Sequence, residues 1–128
     1  MTAPLKPGGR RGIARLWAAT GYSLNGLRAA FRHEEAFRME VLLSASLILV
    51  TFIMARTFVE GMILIIPLVL MLLAELVNSA IEAIVDRIGP EQHELSGRAK
   101  DIGSAAVFVT LGFAAVTWLT YLVLRFLT

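Results

Sequence analysis

The chain has 128 residues, 57% of them hydrophobic, with 12 Lys and Arg against 10 Asp and Glu and a formal net charge of +2; its mean hydropathy is +0.72. These values suit a membrane protein built as one compact unit, not a small soluble domain, and so balanced a charge gives no ground for nucleic-acid binding. The absence of cysteine excludes a disulfide framework, a thiolate nucleophile and a cysteine-based zinc site.

No cleavable signal peptide is expected at the start. Residues 1–12 combine Pro4, Pro7, Gly8, Gly9 and Gly12 with Lys6, Arg10 and Arg11, the composition of a disordered basic tail. Ile13, Leu16, Trp17, Thr20, Leu24, Leu27 and Phe31 then fall within roughly a 100° arc of a helix. Arg15 and Tyr22 sit on the other side. This pattern predicts an amphipathic helix over about residues 13–32, weakened at Gly21 and Gly26. Basic residues and Trp17 at its boundary suit the membrane surface. A short helix packed on other protein is the plainer alternative.

Three apolar runs follow. Val41 to Ala55 is short for a span, since roughly 20 residues are usual. Counting from Ala36, with Arg38 and Glu40 at headgroup depth, gives a span over about residues 36–55. Gly61 to Val85 predicts a second span at about 61–86. Ile102 to Leu124 has no charge and predicts a third at about 102–125, where Trp118 and Tyr121 suit an interfacial belt. Between the last two, Gly89-Pro90 should break the helix, and Ser96 is placed to cap the next one. The expected fold is an all-α membrane protein with three transmembrane helices and an N-terminal amphipathic surface helix, in one domain over residues 13–128.

Seven Lys and Arg precede the first span (Lys6, Arg10, Arg11, Arg15, Arg28, Arg32, Arg38) and three lie in the loop before the third (Arg87, Arg98, Lys100). Only Arg56 and Arg125 fall on the other side. The positive-inside rule therefore expects a cytoplasmic amino terminus and, with three spans, an outside carboxyl terminus.

The second span carries charge where charge is costly. Glu75 lies inside the apolar run, and Asn78, Glu82 and Asp86 follow at i+3, i+7 and i+11, close to one helical stripe. A carboxylate in a span costs a few kcal/mol on insertion scales, so such a stripe must face protein, water or ligand. The other polar clusters share the same side: Glu34, Glu35 and Glu40 before the first span, and His93, Glu94, Arg98, Lys100 and Asp101 before the third. Carboxylates with Lys and Arg, and no cysteine, suit a magnesium-phosphate site, because magnesium takes one or two carboxylates and completes its shell with water and phosphate oxygens. There is no Gly-x-x-x-x-Gly-Lys-Ser/Thr loop, so a nucleotide would bind on helix ends and loops at the membrane surface.

Tyr22-Ser23, Gly26 to Ala30, Glu34, Ala36-Phe37-Arg38, Glu40, Glu75 to Glu82, Val85 to Gly89, His93 to Asp101 and Gly103 to Val107 together resemble the bacterial integral-membrane diacylglycerol kinases, over roughly Arg15 to Trp118. The loop resembles the Gram-negative branch more than its undecaprenol kinase relatives. The chain departs from the pattern at Ala18, His33, Glu35 and Gln92. The resemblance implies a homotrimer in the bacterial inner membrane that uses ATP and Mg2+ to convert diacylglycerol to phosphatidic acid, with active sites built across protomers. It implies that Glu75 is the general base and that Glu34 and Glu82 hold metal with the ATP phosphates. Arg15, Tyr22, Glu91, Gln92, His93, Glu94, Leu95, Lys100 and Asp101 would line the nucleotide. Arg15, Ala36, Arg38, Glu40, Glu75, Asn78, Ser104 and Trp118 would border the lipid.

Other readings of the same residues stay open at this point. Intramembrane acids also serve proton relays, so a small oligomeric proton-coupled transporter is the alternative from a different class. A kinase for undecaprenol or another lipid alcohol is the nearer one. Asn78 is equally suited to an interhelical hydrogen bond, Glu35 to solvent, and Trp118 to an interfacial anchor. A phosphoenzyme at His93 stands beside direct transfer.

Overall fold

The computed structural model describes residues 11–127 as four helices: α1 (Ile13–His33), α2 (Glu35–Met54), α3 (Phe58–Ile88) and α4 (Glu94–Leu127). The tail expected over residues 1–12 falls, but for Arg11 and Gly12, outside the described residues. Three of the helices, α2, α3 and α4, are long and apolar enough to cross a membrane, as a multi-pass membrane protein requires.

A single extended residue, Glu34 (φ −106°, ψ 111°), separates α1 from α2. Its N–H donates to the Ala30 carbonyl at 2.8 Å. Arg38 then reaches back, donating from Nη1 to the carbonyls of Phe31 and Arg32, both at 3.1 Å. Helix ends leave carbonyls without intrahelical partners, and a guanidinium suits the negative end of the helix dipole. Arg38 therefore fixes the elbow between the two helices.

The turn from α2 to α3 is equally local. Thr57 Oγ1 accepts from the Glu60 N–H at 3.2 Å, and Glu60 Oε2 accepts from the Arg56 N–H at 2.9 Å. This is a capping box displaced by one residue. At the other end of α3, Gly89 adopts φ 147°, a conformation that L side chains rarely enter, and the helix stops there.

The start of α4 differs from expectation. The helix begins at Glu94, about two turns before the predicted span. His93 caps it, its Nδ1 accepting from the Leu95 N–H at 3.1 Å, so Ser96 sits inside the first turn and not at the cap. At about 1.5 Å per residue, α3 and α4 are about 46 and 51 Å long, against about 30 Å of hydrocarbon. Their joined ends extend as a polar antiparallel hairpin beyond the apolar layer.

The central element is α3, packed along α4 and α2, while α1 rests on α2. Leu64, Leu68, Ala114 and Trp118 form the core, with Leu47, Ile48, Val50 and Tyr121 against it. Pro67 lies within α3 and is buried. It removes one helical N–H and disturbs the adjoining turn. Trp118 Nε1 donates to the nearby Leu64 carbonyl at 3.2 Å in a buried setting. Trp118 is 6% exposed, so it joins helices in the interior, where the sequence suggested a lipid-facing belt. Leu49, Phe52, Ile53, Phe108 and Val109 all remain exposed, the surface expected of helices that meet lipid or another copy.

Candidate active site

The stripe on α3 turns inward. Glu75 is 5% exposed and Asn78 is 8% exposed. Asn78 donates from Nδ2 to Glu82 Oε1 at 3.3 Å, one turn further on. The position of Asn78 depends on Gly103 of α4. A Cβ at Gly103 would collide with Asn78 Oδ1 and come into ordinary contact with Ile81. The missing side chain lets the two helices approach at the level of the acidic stripe, as small residues do in membrane helix pairs.

The carboxylates come together from three elements. Glu75 lies within electrostatic reach of Glu82 on its own helix and of Glu34 at the elbow, and Glu40 of α2 lies within reach of Glu75. Like charges held close in low dielectric repel, so the cluster calls for a compensating positive charge. Among the described residues no three His, Cys, Asp or Glu side chains are grouped tightly enough to hold a metal by themselves. Glu40 Oε2, Asn78 Oδ1 and the hydroxyls of Ser44 and Ser79 are buried with no hydrogen-bond partner among those residues. Buried polar atoms are ordinarily satisfied, so this stripe is chemically incomplete within one chain.

Toward the water, the hairpin opens a groove of about 660 Å³ between the end of α3 and the start of α4, lined by Asp86, Glu91, Gln92, His93, Glu94 and Lys100 among others. Lys100 Nζ donates to Asp86 Oδ1 at 2.9 Å across the two helices. Arg98 pairs with Glu94 along α4. The groove thus sets three carboxylates, Asp86, Glu91 and Glu94, and the single cation Lys100 around the α3–α4 loop, next to the acidic stripe.

Not every predicted residue converges there. Arg15 and Tyr22 lie exposed on α1 and neither lines the groove. Ala36, Arg38 and Glu40 lie on the first turns of α2, Leu95 and Asp101 on the opening turns of α4, and Ser104 is exposed just beyond. Arg38 is engaged by the α1 carbonyls. Trp118 is 14 residues beyond Ser104, about 21 Å along the helix, toward the opposite end of α4 from the acidic cluster. Glu60 was not singled out, although Thr57-x-x-Glu60 is a legible capping signal. Tyr121 donates to the Met54 carbonyl at 3.0 Å and to Glu60 Oε2 at 3.3 Å, which ties the α2–α3 turn to α4.

A buried carboxylate on an apolar helix is thus joined by one polar stripe to a charged groove. Comparison with known proteins gives the family. Residues 21–122 match the family described as prokaryotic diacylglycerol kinase. The chain is 52% identical over 114 residues to a diacylglycerol kinase of Pseudomonas aeruginosa, covering 89% of this chain and 93% of that one. It is 49% identical over 107 residues to one of Haemophilus influenzae (84% and 91%) and 46% identical over 107 residues to one of Escherichia coli K12 (84% and 88%). The chain belongs to the prokaryotic diacylglycerol kinase family, and it is an enzyme of that kind.

Proposed function

We propose that the chain transfers the γ-phosphoryl group of ATP to the primary hydroxyl of diacylglycerol, giving phosphatidic acid at the cytoplasmic face of the bacterial inner membrane. The observation that carries this reading is the burial of Glu75 where the apolar part of α3 meets the polar hairpin. Diacylglycerol keeps its hydroxyl at headgroup depth, and Glu75 is placed to meet it from the lipid side. Glu82 lies about 10 Å further along α3, toward the water that supplies ATP.

In the proposed step the lipid oxygen attacks the γ-phosphorus as its proton passes to a Glu75 carboxylate oxygen. The bond from the γ-phosphorus to the β–γ bridging oxygen breaks, and ADP leaves with that oxygen. Glu75 later releases the proton to water. Lys100 and the loop from Glu91 to Leu95 hold the nucleotide phosphates, with Arg15, Tyr22 and Asp101 completing the nucleotide surroundings. Glu34 and Glu82 would hold magnesium, which when bound neutralises phosphate charge; two carboxylates suit an ion that fills its shell with water and phosphate oxygens. Asn78 orients Glu82 through its amide. Arg15, Ala36, Arg38, Glu40 and Ser104 border the lipid side, while Trp118, buried against Leu64 toward the other end of α4, supports the bundle.

The kinase domain occupies residues 13–128, behind a basic tail over 1–12. The uncovered apolar stripe of α1, with Ile13 and Trp17 each more than 70% exposed, lies on the membrane surface. The amino terminus is cytoplasmic. The assembly is a homotrimer whose protomers complete each other's sites, which accounts for the unpartnered polar atoms on α2 and α3.

The test is turnover of purified protein in detergent micelles with ATP and magnesium, supplied in parallel with diacylglycerol and undecaprenol. Phosphorylation of diacylglycerol without any membrane gradient is expected, and it separates a kinase from a transporter. A clear preference for undecaprenol would reassign the substrate.

A further inference from the structure

Arg28, Arg32 and His33 take no part in the site above. They line a groove of about 770 Å³ at the elbow between α1 and α2. Arg28 and Arg32 are one helical turn apart, which sets their Cβ atoms about 5–6 Å from each other. That spacing suits two guanidinium groups on one phosphate. Among the described residues neither arginine is paired with a carboxylate, and no acidic residue lines the groove. Arg38 is held by the last turn of α1 and keeps the elbow closed.

The floor is apolar. Phe31 comes from α1, and Phe37 and Val41 come from α2. Val41 opens the apolar run of α2, where Leu42 and Leu43 face outward. The floor therefore leads from headgroup depth directly into the hydrocarbon layer. A basic rim over such a floor has the polarity of a phospholipid turned upside down.

We propose that this elbow binds one anionic glycerophospholipid. Its phosphate lies between Arg28 and Arg32, and its upper acyl chain runs over Phe31, Phe37 and Val41. His33 donates an imidazole N–H, for which the neutral ring suffices. A zwitterionic lipid carries its own ammonium beside the phosphate and gains less from the arginines. Free phosphate would fill the rim and leave the apolar floor uncovered, so the lipid is the occupant. The proposal rests on α2 lying in the membrane and not on the catalytic assignments, and its readout is binding.

The full chain, purified in neutral detergent, is titrated with phosphatidylglycerol and with phosphatidylcholine, and retained lipid is counted by native mass spectrometry. Wild type should retain phosphatidylglycerol preferentially. Arg28→Gln with Arg32→Gln should weaken that preference about thirtyfold, and Arg32→Gln alone about fivefold, since each basic residue near an anionic surface contributes about 1 kcal/mol. Both positions are exposed, so helix content should not change. Wild-type retention by the double variant overturns the proposal. Displacement of the lipid by inorganic phosphate at equal concentration overturns the lipid as occupant. Efficient disulfide cross-linking of Phe31→Cys between copies would place a second chain in the groove and overturn it as well.

Discussion

At the scale of the residue, Glu75 and Gly103 carry the sharpest consequences. Glu75→Gln keeps the size of the side chain but cannot accept a hydroxyl proton. Turnover in detergent should fall by about 10²- to 10⁴-fold, while magnesium-ATP binding persists. Loss of a costly buried charge should leave thermal stability equal or higher. Turnover at the wild-type level would return Glu75 to a relay or structural role. Gly103→Ala places a methyl group against Asn78 Oδ1, and overpacking of this kind costs about 1–3 kcal/mol. Displacing Asn78 also releases Glu82, so magnesium titrations should shift to higher concentration along with the thermal midpoint. An unchanged magnesium dependence in folded Gly103→Ala would detach Asn78 from the metal carboxylate. Lys100 differs from both. Its pair with Asp86 is largely exposed, with the side chains 40% and 67% accessible, so Lys100→Met should leave thermal stability almost unchanged. Its effect should fall on KM for ATP.

Each helix also has a device that sets its ends or its neighbours. On the far side from the acidic cluster, Tyr121, Glu60, Thr57 and the Met54 carbonyl form one hydrogen-bonded cluster that joins α2, α3 and α4. Tyr121→Phe removes the one O–H proton that serves these two acceptors and leaves the aromatic packing intact. At about 0.5–1.5 kcal/mol for a hydrogen bond, unfolding should be easier by about that amount with turnover per folded enzyme unchanged. A fall in turnover without loss of stability would show that this end of the bundle reaches the site. Near Pro67, Trp118→Phe keeps an aromatic ring, though a smaller one, and leaves the Leu64 carbonyl without its indole donor, which should cost about 1–3 kcal/mol. Thermal unfolding of Trp118→Phe in the same detergent measures that contribution.

Taken whole, the described residues leave many more large apolar side chains exposed than buried, and polar atoms of the acidic stripe are unpartnered among them. The proposed association of copies in a bilayer would answer both features. Mixed oligomers of Glu75→Gln and Lys100→Ala chains should regain activity if protomers share sites. With mixing confirmed, no recovery would confine each site to one protomer. Single cysteines at Thr2 and Thr128, in a chain that has none of its own, should react with impermeant label from opposite sides of sealed vesicles. Labelling from the same side would reject the three-span topology with a cytoplasmic amino terminus.

Helix existence and order were readable from the chain alone, because apolar runs, the α1 stripe and Gly89-Pro90 are local patterns that act within a few residues. The stripe from Glu75 to Asp86 was readable for the same reason, since its spacing repeats with the helix. The motif resemblance also led to the right family. Local pattern did not show how the helices rotate against one another. Trp118 suits a belt by sequence and is buried beside Leu64 because α4 packs that face against α3. Arg38 suits headgroup depth by sequence, and only the structure shows that it also caps α1, because one extended residue folds α2 back to it. The start of α4 was set by His93, whose ring stands in for the serine expected at the cap. Contacts between distant segments depend on helix pairing and on which side chain satisfies which buried atom, so only the tertiary structure brought Glu34, Glu40, Glu75 and Glu82 into one cluster.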